Sequence, residues 1–219
     1  MYVQQNRFHA STPVVAARLV MLALLLISSL PGYSSEYGSG RHRPGVAFGP
    51  IRHVEVAEDH TRFSFDEAPV FDDGMPKAGN AFVTHGYIYR KGFFDNYDEG
   101  VDEQGQPVRP DLVIGEWTCR GYFVGDGANT KTGPWVISTQ TFDFYDWPGY
   151  HENQDRQFGK RMVTTEGYEL VDVDKIVKRP ITGGTGPYGS ARGEHRQSSL
   201  GLGQFGGIKA RHTLNTRRC

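Results

Sequence analysis

Cysteine is scarce in this sequence. Cys119 and Cys219 are the only two, so the chain can make at most one bridge. Cys119 lies inside a strand-like run and Cys219 is the last residue, which favours a buried free thiol at Cys119 over a disulfide framework. Surplus charge is lacking too: 24 Lys and Arg stand against 25 Asp and Glu, a formal charge of −1. No global field draws this protein to nucleic acid or to an anionic membrane. Helical periodicity is missing, since no stretch outside the N-terminal leader sets apolar residues at i, i+3, i+4 and i+7. There is no N-x-[ST] sequon and no G-x-S-x-G nucleophile motif. His151, His195 and His212 have no metal-ligand spacing with one another or with a cysteine, so no metal site is expected and they read as scattered surface residues. The acids of "FDNYDEGVDEQGQPVRP" (94–110) lack the D-x-[DN]-x-[DN]-G order of a calcium loop and read as a solvated loop.

The leader is defined partly by another absence. No acidic residue precedes Glu36, while Arg7 and Arg18 supply positive charge ahead of "LVMLALLLI" (19–27). Nine apolar residues are too few for the roughly 20 of a spanning helix and suit a signal-peptide core of about 7–15. Residues 1–35 are therefore expected to be a secretory signal cleaved near Ser34, giving a secreted mature form that is not membrane-embedded. An organelle transit peptide and an uncleaved anchor are the alternatives. Residues 36–50 read as a flexible lead-in, and 51–219 as one domain.

Glycine and aromatic residues are what the sequence has in plenty, with 28 glycines and 12% Phe, Trp and Tyr. Gly-rich turns between aromatic and β-branched runs argue for an all-β fold. Eight such runs are expected: 53–65, 80–92, 111–124, 133–146, 161–172, 174–182, 191–201 and 206–215. Eight strands can close into a small barrel and so remove exposed edges. The segment 145–161 is long for a hairpin connection and reads as a lid or a surface loop.

"ITGGTGPYGSARGE" (181–194) satisfies G-x-G-x-x-G at Gly184, Gly186 and Gly189. A dinucleotide site also needs a helix opening at the glycines and an acid about 20 residues on. The following sequence has no apolar helical face, and no Asp or Glu occurs after Glu194. A P-loop fails because Ser190 follows in place of Lys and Ser/Thr. A tight turn between strands remains.

That segment, with "TTEGYELVDVDKIVKRP" before it, resembles the signature of the allene oxide cyclase-like and dirigent-like barrel superfamily. The matching positions are Gly183, Gly184, Thr185, Gly186, Tyr188, Ala191, Arg192 and Gly193, and the similarity runs from about Val54 to Leu214. "GNAFVTHGYIY" and "IGEWTCRGYFV" resemble the second and third strands of that family. The resemblance implies an eight-stranded antiparallel β-barrel around an apolar cavity, with no metal or organic cofactor, and a possible homotrimer. It also implies cofactor-free isomerase, cyclase or coupling-director chemistry on a small hydrophobic substrate. A non-catalytic barrel carrying a small apolar ligand is the alternative. Pro187 stands where lignan-type dirigent proteins often carry an acid, so their particular chemistry does not transfer.

Strand alternation then nominates residues. Val113, Trp117, Cys119 and Phe123 share a face expected to line the cavity, while Ile114, Glu116, Thr118, Arg120 and Tyr122 face solvent or a subunit interface. Val83, His85, Tyr87 and Tyr89 share a face of their own. If it lines the cavity, His85 is a proton donor or acceptor, Tyr87 polarises a substrate oxygen, and Val83 and Tyr89 add to the wall. Glu166, whose pKa an apolar barrel would raise, is a candidate general acid, with an exposed glutamate as the plainer outcome. Arg192 either binds an anionic substrate group or braces the glycine turn. The basic residues Arg192, Arg196, Lys209, Arg211, Arg217 and Arg218 face only Glu194 in sequence and read as charges spread over two strands.

Overall fold

The computed structural model describes residues 53–72, 74–125, 135–146, 148–149 and 158–218. The leader, the lead-in, His151, Cys219 and most of the 145–161 segment lie outside the described residues.

Among the described residues, nine strands follow one another. They are β1 (His53–Glu58), β2 (Ser64–Phe65), β3 (Ala81–Arg90), β4 (Gly115–Phe123), β5 (Trp135–Phe144), β6 (Met162–Leu170), β7 (Ile176–Gly184), β8 (Ala191–Leu202) and β9 (Ile208–Arg218). Each of β3 to β8 pairs antiparallel with the next, and β1 pairs on one side with β9 (Val56 with Ala210) and on the other with β3 (Val56 with Ile88). The sheet is thus a closed eight-stranded antiparallel barrel. β2 extends the first strand along β3, pairing Ser64 with Val83. The run 53–65 breaks in two because the Asp59 carboxylate accepts from Thr61 N at 3.0 Å and Thr61 Oγ1 at 2.6 Å, capping a short 3-10 turn at His60–Arg62. Among the described residues, no helix is long and apolar enough to cross a membrane.

The period of two is plainest in β5. Val136, Ser138, Gln140, Phe142 and Phe144 are buried, and the residues between them are partly or fully exposed. Interior residues from all eight strands make one core, including Val54, Ile88, Trp117, Phe142, Val163 and Leu214. A second cluster sits on the outer surface. There the 91–114 excursion between β3 and β4 lays Phe93 on Tyr89 at 3.8 Å between ring centroids and packs Val101 and Val113 with Tyr87 and Ala57. Polar clips hold the excursion down. Tyr89 donates to Gly100 O at 2.6 Å, and the buried Glu55 accepts from Phe94 N at 2.8 Å and from Arg211 Nε at 2.7 Å. The acidic stretch 94–110 is therefore anchored at both ends of its apolar contacts, although its Asp102 only caps its own turn. The basic residues near the C-terminus find acids far off in sequence, Arg211 at Glu55 and Asp95 and Lys209 at Glu99.

The glycine segment closes one end of the barrel. Gly183 and Gly184 end β7, Thr185 Oγ1 accepts from Met162 N at 3.0 Å, and a 3-10 turn at Gly186–Tyr188 tucks Tyr188 against Phe144. Gly186 needs its positive φ of 53°. At Gly184 a Cβ would stand 2.5 Å from Met162 O and 2.6 Å from Tyr188 O. Gly184→Ala is expected to cost about 1–3 kcal/mol through overpacking against rigid backbone. A thermal melt checks this, and an unchanged midpoint would refute it.

A candidate site in the barrel lumen

The opposite end of the barrel is open. A cavity of about 570 Å³ runs inward between Phe65, Phe82, Phe123, Leu202 and Ile208, past Trp117 and Cys119, down to His212. Its wall is mostly apolar, but two carboxyl groups belong to it, Glu58 and Glu169.

Each carboxyl has a different setting. Glu169, near the end of β6, is the centre of a buried polar cluster. Its Oε1 accepts from Ser138 Oγ and from the Cys119 thiol at 3.2 Å, with Arg179 Nη1 3.0 Å away, and its Oε2 accepts from Gln197 Nε2 at 3.1 Å. Arg179 is wholly enclosed, and its Nη2 donates to Ser138 O at 2.5 Å, Ser138 Oγ at 2.7 Å and Gly167 O at 3.1 Å. Burial alone would lift the Glu169 pKa. The Arg179 charge and the hydrogen bonds from Ser138 and Cys119 outweigh burial and hold it below the ordinary carboxylate value. Among the described residues, no cation pairs with Glu58. Burial raises its pKa, and the charges of Glu169 and Asp59 add to that. Hydrogen bonds from Thr84 Oγ1 (2.6 Å) and Ile208 N (2.8 Å) offset it only in part. Burial and the neighbouring Glu169 likewise push the Cys119 thiol well up, so it is no thiolate nucleophile.

Below these groups lies a histidine pair. His195 Nε2 and His212 Nδ1 are 2.9 Å apart, His195 Nδ1 is 3.1 Å from Thr165 Oγ1, and Phe142 meets both rings edge-on. Two imidazolium rings would set N–H against N–H here, so one proton lies between those nitrogens and the pair cannot be doubly charged. Burial is the main cause of their low pKa values, His212 falling to about 3 and His195 well below its usual value. The expectation of scattered surface histidines is corrected: both are fully enclosed, and only His151 stays outside the described residues.

The chain resembles dirigent-type barrels in structure. A pterocarpan synthase dirigent protein matches at TM-score 0.49 and 11% identity, covering 73% of this chain and 84% of its own. A pyocyanin demethylase matches at 0.43 and 14%, covering 74% and 98%. An exo-specific intermolecular Diels-Alderase matches at 0.38 and 15%, covering 73% and 95%. No family model and no curated protein matches the sequence. The barrel itself is established by the strand pairing above.

The residues nominated from sequence divide along strand parity. Trp117, Cys119 and Phe123 stand on the lumen wall. Val83, Tyr89 and Val113 do not: Val83 is 46% exposed on the outer surface, and Tyr89 and Val113 belong to the cluster under the 91–114 excursion. On β3 it is Phe82 and Thr84 that reach the lumen, so His85 and Tyr87 point outward. His85 there sits 3.6 Å from Glu116 and 3.3 Å from Arg62, and Tyr87 is buried beside Tyr89. Glu116, on the outward face of β4, is thus the partner of His85. On β6, Val163, Thr165 and Glu169 turn inward, leaving Glu166 exposed in an open outer groove with Val83, Tyr122 and Ile137. Arg192 is exposed and donates to Ala191 O at 2.7 Å. None of the four nominated catalytic residues reaches the lumen, and Gly183, Gly184, Thr185, Gly186, Tyr188 and Gly193 build the closed end.

Sequence reasoning passed over Glu58, Glu169, Arg179, His195, His212 and the Gln140–Gln197 pair (Gln140 Nε2 to Gln197 Oε1, 2.8 Å). A usable signal existed on β5. Val136, Phe142 and Phe144 fix its inward parity and so place Ser138 and Gln140 inside, marking a wall with polar partners to find.

Proposed function

We propose that the lumen holds one small, mostly apolar molecule and guides its cyclisation or isomerisation without a cofactor, with Glu58 as the proton donor and Glu169 as the fixed anion. The observation that carries this is the pair of lumen carboxyls whose settings drive their pKa values apart, one above and one below the ordinary value. A neutral Glu58 can protonate an oxygen on which negative charge develops. The Glu169 carboxylate, held rigid by Arg179, Ser138 and Gln197, can face the positive charge that develops on carbon or receive the proton lost there. The apolar wall excludes water and limits the conformations in which a reactive molecule can close on itself. Allene oxide cyclases and dirigent proteins, which this sequence resembles, carry out reactions of this kind. Export by the N-terminal segment and assembly as a homotrimer belong to the same reading.

The test is to incubate the purified full-length protein with allene oxides, phenoxy radicals and polyketide-type epoxides and to measure product and enantiomer ratios. A shifted ratio with one class is expected, and Glu58→Gln should lower that rate by about 10²-fold or more. Unchanged ratios across the panel would overturn the reading. A ligand that co-purifies unreacted in native mass spectrometry, with Glu58→Gln leaving it bound, would make the barrel a carrier instead.

A further inference from the structure

The one fixed charge on the lumen wall is negative. Glu169 supplies it, Glu58 beside it is the proton donor, and among the described residues neither Lys nor Arg lines the cavity. The Arg179 charge stands behind Glu169, already engaged by that carboxylate and by Ser138 and Gly167. His212, at the inner end, is held neutral by burial. The mouth is aromatic: Phe63 and Phe82 lie 6.2 Å apart, Phe82 and Phe123 5.3 Å, and His60 stacks on Phe205 at 5.6 Å. Ring faces attract cations and repel anions. An anion drawn into this space would lose its hydration and find no cation in return.

Resting on the reading of the lumen as the working site, we infer that the barrel selects its ligand by charge. It accepts planar aromatic or polyunsaturated molecules that are uncharged or positively charged, and it excludes carboxylates, phosphates and sulfonates. Fatty-acid-derived substrates with a free carboxylate are therefore outside its range, whereas phenols, quinones, neutral polyketides and N-alkylated heteroaromatics are within it. The volume of about 570 Å³ accommodates two or three fused rings.

Isothermal titration of the full-length protein with three probes of one size tests this: 2-naphthamide, N-methylquinolinium and 2-naphthoate. The amide and the cation are expected to bind, with naphthoate at least tenfold weaker. Glu169→Gln removes the anion and leaves Arg179 uncompensated, so naphthoate should tighten at least tenfold. Should that variant melt without cooperativity, Leu202→Lys, which sets a cation at the exposed mouth of the cavity, replaces it, with gain of naphthoate binding again expected. Naphthoate that binds the wild type as tightly as the amide overturns the charge selection. Ala210→Phe, or Ser199→Phe if the first does not fold, fills the lumen and separates the two levels. Equal affinities abolished by filling sink the charge rule alone. Affinities indifferent to filling, or no binding by any probe, sink the lumen reading itself.

Discussion

Arg179→Met is expected to be the most damaging single substitution in the barrel interior. The wholly enclosed guanidinium neutralises Glu169, whose side chain is only 13% exposed, and donates to Ser138 O and Gly167 O. Removing it strands a buried carboxylate, for which the expected loss is about 3–5 kcal/mol. For a domain of this size that corresponds to a melting temperature lower by roughly 6–20 °C. Removing the carboxylate as well should undo much of the damage, because a wall without either charge has nothing left to compensate. Arg179→Met/Glu169→Leu is therefore expected to melt above Arg179→Met. Calorimetry of the two variants decides the matter, and a single variant that melts with the wild type would show that Glu169 is already solvated.

Mild acid should unfold the protein through its histidine pair. His195 and His212 have folded pKa values below the ordinary value near 6.5, His212 at about 3. The unfolded chain therefore takes up protons that the folded chain refuses, and stability falls as pH drops below about 6.5. Each ring contributes roughly 1.4 kcal/mol per pH unit in that window, or about 5 kcal/mol for the pair between pH 6.5 and 4.5. Glu58 works in the opposite direction, since its raised pKa makes the folded state the better proton acceptor and offsets part of the loss. The lowered pKa of Glu169 adds its own loss only below the ordinary carboxylate range. Melting temperatures read from pH 7.5 to 4.5 should fall by more than 10 °C. His195→Gln/His212→Gln should flatten that slope even if its midpoint at pH 7.5 is lower. A wild-type profile already flat across that range would mean the rings charge freely in the folded state.

The sequence showed the barrel more readily than its contents. Alternation, glycine-rich turns and the 181–194 segment led to eight antiparallel strands, and all eight form. What sequence leaves open is which face of each strand is inside, because in this barrel both faces carry apolar or polar residues. β3 is the clearest case: its outward Tyr87 and Tyr89 look like core because the 91–114 excursion buries them. The inward face instead offers Phe82, Thr84 and Gly86. Choosing the wrong face displaced the nominated base from the lumen to His85 and the nominated acid from Glu169 to Glu166, three residues away on the other side of β6. Arg179 was unreadable for a different reason. It lies in "KIVKRPIT" beside Lys178, which reaches Glu194 on the surface, and it turns inward by plain alternation with Ile181, a parity that one apolar residue flanked by Pro180 and Thr182 does not announce.

The closed end built by the glycine segment has a kinetic consequence. Tyr188, Phe144, Ala191 and Leu214 are buried there, and among the described residues the cavity's exposed lining is at the other end, with Phe65 and Leu202. Among the described residues the barrel is thus a vessel with one mouth, and under the proposed function whatever is made inside leaves by the way its precursor came in. Turnover would then be sequential, one occupant at a time. Product and substrate would contend for the same doorway, and a product too stiff to retrace that path would stay inside as the protein's own plug.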